Sequence, residues 1–560
     1  MCAQIKNPNA LHTLHPAIDS IWDRYYWHPC TIRILMLTDT VFGGYNNEDF
    51  HLGELIHILK TNVPYYVNYK ITKAHRDNVT TVGADITQFR FDNSNHFNPD
   101  DYDEIWMFGI QGGNNINLSA KEQRIVAEFM ERHDKNERPN GGGVFCTGDH
   151  EHLGTPLSVG IPRVRNMRKW YYGSAFTTPY GEPKAPPGDG PDRHDTLVEG
   201  HDSGYQFDDQ SDDIPQKIQP RFYYSRANSP FIFTWNKYPH PLLCGPHGVI
   251  DVMPDHAHEG ECYEPSDLNR SFTYDGETFV EYPTAPNGHK PRPQVIAWSN
   301  EVGPRTAADV KGNLNLKKFG SICAYNGHEA EIGRVVVDAT WHHFFNINLK
   351  GELFNSDPVK AGGFKGSASP QAQKDYDQIK AYFRNIAIWL APQSKQRCML
   401  TRTLWLARWN TQIAIDLGLH DLHGPIKPSK WLNLTTGARD VLGRLAPRCN
   451  LMTMIVDWLI PTQISYINLW TSDKRAERRG NFDPELVIWS AAAGALMALA
   501  ERWKEPPGGA IEADDHKFEI EVMEVIQEGG RLGVKRLMEF LRTEQRKGSY
   551  VMSRVLREMD

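Results

Sequence analysis

Residues 141–154 read GGGVFCTGDHEHLG. Three glycines lead into the apolar run Val144-Phe145-Cys146, the pattern of a short buried strand, and Gly148 then permits a tight turn. This predicts a strand-to-helix elbow with Cys146 at its tip. A residue there sits at the carboxyl edge of a sheet, where α/β proteins bind ligands. A thiol at a helix N-terminus also has its thiolate favoured by the helix dipole.

Working outward, Ile32–Leu37 (IRILML) predicts a first buried strand ending at Thr38-Asp39-Thr40, and Phe50–Lys60 has helical spacing. Asp103–Phe108 (DEIWMF) is a further strand, followed by the glycine-rich loop Gly109–Asn115. Ser119–His133 is helical, with Ser119 and Glu122 placed as a capping box. Strands alternating with helices predict a doubly wound, mostly parallel α/β sheet over roughly 31–160, closed by a strand near 334–341. Two further strand signals lie at Gln294–Trp298 and Gly320–Tyr325.

The rest divides by composition. Residues 1–30 are an N-terminal extension, and 31–365 are the α/β domain. Within it, about 160–290 is a large irregular insertion rich in Pro, Gly, Asp, His and Tyr. A boundary is expected at about 362–370, and 366–560 reads as an all-helical C-terminal domain. Candidate helices there are 371–391, 397–417, 437–446, 449–460, 485–503 and 516–556. Trp405, Trp409, Trp431, Trp458, Trp470, Trp489 and Trp503 supply a bundle core, as do Ile413, Ile415 and Leu417. The long charged end of the chain suits self-association as a homo-oligomer, a protein partner, or a cap over the cleft.

The net charge of −8 argues against a general nucleic-acid or anionic-membrane binder, and the basic run Lys474–Arg479 reads as a solvated helix end or loop. Leu486–Ala500 is shorter than the roughly 20 residues that span a bilayer and reads as a buried helix. Neither a basic n-region nor an apolar h-region opens the sequence. The eight cysteines lack CxxC or regular spacing, which predicts reduced thiols and a cytoplasmic protein.

The order of three motifs, YDEIWMFGIQGG, LSAKEQRIVAEFME and GGGVFCTGDHEHLG, resembles the class I glutamine amidotransferase-like superfamily, which has a flavodoxin-like fold. Cys146 and Gly148 match that superfamily's elbow, whereas Val144 stands where its leading glycine belongs and His150 where its glutamine belongs. HPLLCGPHGVIDVMPDHAHEGECYEP, QVIAWSNEV and GRVVVDATWHH resemble the trehalose-utilisation (ThuA-like) branch, in which His342 takes the family histidine's position. The resemblance covers about 31–350.

The resulting expectation is a cysteine-dependent hydrolase or amidase acting on a small polar or sugar-like molecule. Cys146 is the nucleophile and His342 the base, with His343 as the alternative because adjacent residues on an extended chain point oppositely. Gly112 and Gly113 aim backbone N–H groups at an oxyanion. No Glu follows two residues after either histidine, since Phe344 and Phe345 stand there, so Asp149 or Glu151 would complete the triad. This reading requires no cofactor. A second reading uses the His-x-His segments, with His150, His152, Asp255, His256, His258 and Glu259 holding a divalent metal such as zinc that activates water. A third is a non-catalytic ligand-binding or assembly protein that engages a partner through its helical tail.

Overall fold

Strand β1 (Cys30–Thr38) forms around the apolar run Ile34–Leu37, and its side chains divide by parity. Cys30, Ile32, Ile34 and Met36 enter one core cluster, while Leu35 and Leu37 enter another on the opposite face. In this computed structural model the described residues are 28–40, 43–77, 83–111, 117–149, 152–171, 216–228, 233–255, 260–301, 317–351, 356, 358–418, 427–460, 470, 484–504 and 516–559. Gly112, Gly113, His150, Glu151, His256, His258, Glu259 and the basic run 474–479 lie outside them, as do residues 1–27 and most of the insertion's first half.

The other strands of the main sheet are β2 (Val67–His75), β3 (Glu104–Phe108), β4 (Gly143–Thr147), β5 (Arg168–Lys169), β6 (Gln219–Pro220), β7 (Glu261–Cys262), β8 (Gln294–Glu301), β9 (Lys317–Tyr325) and β10 (Val335–Asp338). Their order is β2-β1-β3-β4-β10-β9-β7-β5, with β8 also pairing β9 and β6 pairing β8. Neighbours from β2 through β10 are parallel. From β10 onward every pairing is antiparallel. The expected parallel sheet is thus extended by an antiparallel wing, to which the insertion supplies β5, β6 and β7. Two separate hairpins, Phe222–Asn228 with Phe233–Pro239 and Ser271–Tyr274 with Glu277–Val280, also come from it.

Helices cover both faces. They are α1 (Gly53–Lys60), α2 (Ala120–Glu131), α3 (Thr155–Ser158), α4 (Asn346–Lys350), α5 (Pro358–Gly366), α6 (Pro370–Leu390), α7 (Gln393–Arg408), α8 (Thr411–Gly418), α9 (Pro428–Leu445), α10 (Arg448–Leu459), α11 (Pro484–Arg502) and α12 (His516–Met559). The capping box of α2 is present, with Glu122 N–H donating to Ser119 Oγ at 3.2 Å and Ser119 N–H to Glu122 Oε2 at 3.0 Å. Val126, Phe129 and Met130 of α2 pack on the face that carries Leu35 and Cys146.

The opposite face is covered by α6, whose Phe383 ring lies 5.1 Å from Phe344. One apolar cluster runs from Trp106, Phe108 and Phe145 on the sheet through α6 to Trp405, Trp431 and Trp489 in the bundle. Packing is therefore continuous across the boundary expected near 366. Ile413 and Leu417 join this core, but Ile415 is 56% exposed, because a two-residue step turns a helical side chain to the far side. The apolar helix α11 is long enough to cross a membrane by length and composition, yet 78% of its apolar window is buried inside the protein. Gly494 on α11 lies so close to α12 that a Cβ would come within 2.2 Å of Gly529 O.

The reduced-thiol expectation is corrected here. Disulfides Cys30–Cys398 and Cys244–Cys449 join β1 to α7 and the segment after Pro241–Leu243 to α10. Partners 368 and 205 residues apart leave no spacing signal in the chain. Cys146, Cys262 and Cys323 are free and buried.

Candidate functional site

The carboxyl edge of the parallel strands gathers the polar chemistry. Strand β4 continues through Cys146 to Thr147, and Cys146 pairs with Met107 and Val337 inside the sheet. Among the described residues, the first helix after it is α3, which begins at Thr155. The predicted elbow is therefore corrected: Cys146 lies within the strand, and the residues past its end are Gly148 and Asp149. The Cys146 side chain is buried in the α2-side core, where burial pushes its thiol well above the usual range and the Ser158 hydroxyl only partly offsets this. Cys146 belongs to the α2-side core, whereas His342 and His343 sit on the turn that follows β10.

The loop after β10 turns back over this edge. Thr340 caps a short 3₁₀ turn, Trp341–His343, by accepting the His342 N–H on Oγ1 at 3.0 Å. Trp341 N–H donates to Gly148 O at 3.1 Å, so the histidine turn and the β4 loop are joined directly. Arg168 reinforces this by donating to Asp149 O at 2.8 Å and to Ala339 O at 3.0 Å. Gly109 and Gly154 make the layer possible: a Cβ on Gly109 would meet Gly154 Cα at 2.4 Å.

His342 is held between two carboxylates. Its Nε2 lies 3.4 Å from Asp149 Oδ2, and its Nδ1 lies 3.3 Å from both Asp255 Oδ2 and Asn348 Oδ1. Asn348 Nδ2 also reaches Asp255 Oδ2, at 3.4 Å. Asp149 and Asp255 are 0% exposed and His342 is 1% exposed. The Trp341 ring stacks on the imidazole with centroids 4.0 Å apart. Of the two acids considered as the third triad member, Asp149 lies within reach of His342, and Glu151 lies outside the described residues.

His343 faces a different set of groups. Its Nε2–H donates to the backbone O of Asp255 at 3.0 Å, and its Nδ1 lies 2.7 Å from Asp338 Oδ1. Tyr382 O–H, on α6, donates to Asp338 Oδ2 at 2.7 Å. Burial and the adjacent Asp338 charge both push the Tyr382 hydroxyl above its ordinary range.

Asp39 lies at the same edge, just past β1. It accepts the N–H groups of Ile110 and Gln111 at 2.9 and 3.2 Å and so anchors the loop that leads to Gly112 and Gly113. Burial raises its carboxyl to about 7, against the lowering effect of those two N–H donors.

Of the proposed metal-holding residues, Asp255 and His152 are described, and Asp255 meets His342. Among the described residues, no group of three His, Cys, Asp or Glu side chains has the arrangement of a metal site. Sequence reasoning passed over Asp39, Asp338, Asn348 and Tyr382. The available signal for the two aspartates was a carboxylate placed directly at the end of a buried strand. Compared with known proteins, the chain matches no family model, no curated protein and no solved structure.

Proposed function

We propose that this chain is a hydrolase of a small polar molecule in which His342 performs the proton transfers. The observation that carries this reading is that both ring nitrogens of His342 face buried carboxylates, at 3.4 and 3.3 Å, at the edge where α/β sheets present ligands. Asp255, steadied by Asn348, orients the ring through Nδ1. Nε2 faces Asp149 and is the nitrogen that takes a proton from the attacking group and returns it to the leaving group. The parallel order β2-β1-β3-β4-β10 is that of flavodoxin-like sheets, which supports the amidotransferase-like architecture of the resemblance. The burial of Cys146 supports a packing role for that residue. The two disulfides favour an oxidising compartment over the cytoplasm.

His342→Gln tests the reading on a panel of small esters, amides and glycosides. Turnover is expected to fall by about 10²–10⁴-fold with the fold intact. Unchanged turnover would remove His342 from the chemistry.

A metal-dependent hydrolase is the second reading. It is favoured because the two His-x-His segments begin at Asp149 and Asp255, and both of these residues meet His342. Metal analysis of the purified protein decides it: the absence of stoichiometric zinc, manganese or iron, with activity that survives chelation, rejects this chemistry.

A further inference from the structure

We infer that the helical region positions the His342 site through Tyr382, Asp338 and His343. This rests on the functional reading above. A continuous run of buried polar contacts connects a bundle-side helix to the segment bearing Asp255. Tyr382 O–H donates to Asp338 Oδ2, Asp338 Oδ1 meets His343 Nδ1, and His343 Nε2–H donates to Asp255 O, at 2.7, 2.7 and 3.0 Å. A carbonyl oxygen only accepts, so His343 Nε2 is the donor in this last contact. Asp338 also accepts Thr340 N–H on Oδ1 at 3.3 Å, and Thr340 in turn caps the turn that carries both histidines.

The same three groups therefore hold both sides of the His342–Asp255 contact. Asp338, through Thr340, sets the backbone turn from which His342 projects. Through His343, it holds the backbone of Asp255, whose carboxylate lies on His342 Nδ1. Tyr382 holds Asp338 and is placed by α6, which packs against Phe344. Asp338, His343 and Tyr382 are all fully buried, so water does not compete for these contacts. None of the three needs to touch substrate. They are positioning residues, and they give α6 a role at the site beyond covering the sheet.

The test uses the full chain labelled with ¹⁵N-histidine, with ring signals assigned by His342→Gln and His343→Gln. Tyr382→Phe removes one hydroxyl and keeps the ring. It is expected to shift the ring nitrogens of His343 and also those of His342, while Tyr376→Phe, on the same helix but bonded to Glu54, shifts neither. Asp338→Asn is the second variant, should Tyr382→Phe fold poorly, with the same expected shifts. On a hydrolysed substrate, Tyr382→Phe lowers kcat about tenfold with KM unchanged. His342 signals that stay fixed in folded Tyr382→Phe and Asp338→Asn proteins overturn the inference. The ring spectra need no turnover, so loss of the hydrolase reading and loss of this coupling are separate results.

Discussion

The two edges of the parallel sheet use their polar groups in opposite ways. At the amino edge those groups fasten the helical region to the sheet. Cys30 opens β1 and is bonded to Cys398 on α7. Arg334, just before β10, pairs with Asp457 on α10 at 2.9 Å and donates to Trp389 O on α6 at 3.0 Å. Gly143, at the start of β4, lies so close to α6 that a Cβ would come within 2.3 Å of Leu390 O. At the carboxyl edge, Asp39 and Asp149 lie just past the ends of β1 and β4, Asp338 ends β10, and the β10 loop adds His342 and His343. The insertion contributes Asp255. The amino edge thus carries the links to the helical region, and the carboxyl edge, where α/β sheets bind ligands, carries the cluster of aspartates and histidines.

Changes at the amino edge should lower stability and leave the His342 ring signals unmoved. The largest effect is expected from Cys30→Ser with Cys398→Ser, which opens a 368-residue separation and should cost roughly 2–5 kcal/mol in denaturant unfolding. Next comes Arg334→Met, which strands Asp457 and should cost about 2–4 kcal/mol. That figure sits toward the lower end for a buried pair because Asp457 keeps 26% of its side chain exposed. Adding Asp457→Leu should restore most of the loss. A double variant no more stable than Arg334→Met would show that the pair does not fasten the bundle.

Changes at the carboxyl edge should instead alter pH dependence. The carboxyl of Asp39 is raised from 3.8 to about 7 on folding, so the folded chain holds this proton more tightly than the unfolded chain. Its contribution favours folding at low pH and is lost as pH rises from about 4 toward 7. Asp39→Asn, whose amide oxygen still accepts from Ile110 and Gln111, should flatten that loss by on the order of 2 kcal/mol between about pH 5 and 7. Unfolding curves with identical pH dependence in both proteins would contradict the burial argument. The smallest effect is expected from Cys146→Ala inside β4, at about 1 kcal/mol with no change in pH dependence.

Much of this arrangement was legible from local pattern. The apolar runs at Ile32–Leu37, Asp103–Phe108 and Val144–Cys146 are strands, and Ser119 and Glu122 form the capping box, because each signal lies within a few residues. The face that Cys146 occupies was not legible. It depends on strand length and pairing register, and a one-residue difference turns a side chain to the other face. The elbow motif suggested that the strand stopped at Cys146, but pairing with β3 and β10 carries it on to Thr147. Asp149 was visible as a candidate acid, whereas its meeting with Asp255 across His342 needs the insertion folded back onto the edge. Tyr382 was hidden because it lies on a helix that composition assigns to another domain.

The proposed function puts the reactive centre beyond the end of β4 and not within it. Turnover of Cys146→Ala and Asp149→Asn on the same panel of small esters, amides and glycosides tests this most directly. Cys146→Ala should keep near-wild-type turnover, while Asp149→Asn should lose about 100-fold or more. An inactive but folded Cys146→Ala protein beside a fully active Asp149→Asn protein would contradict this placement.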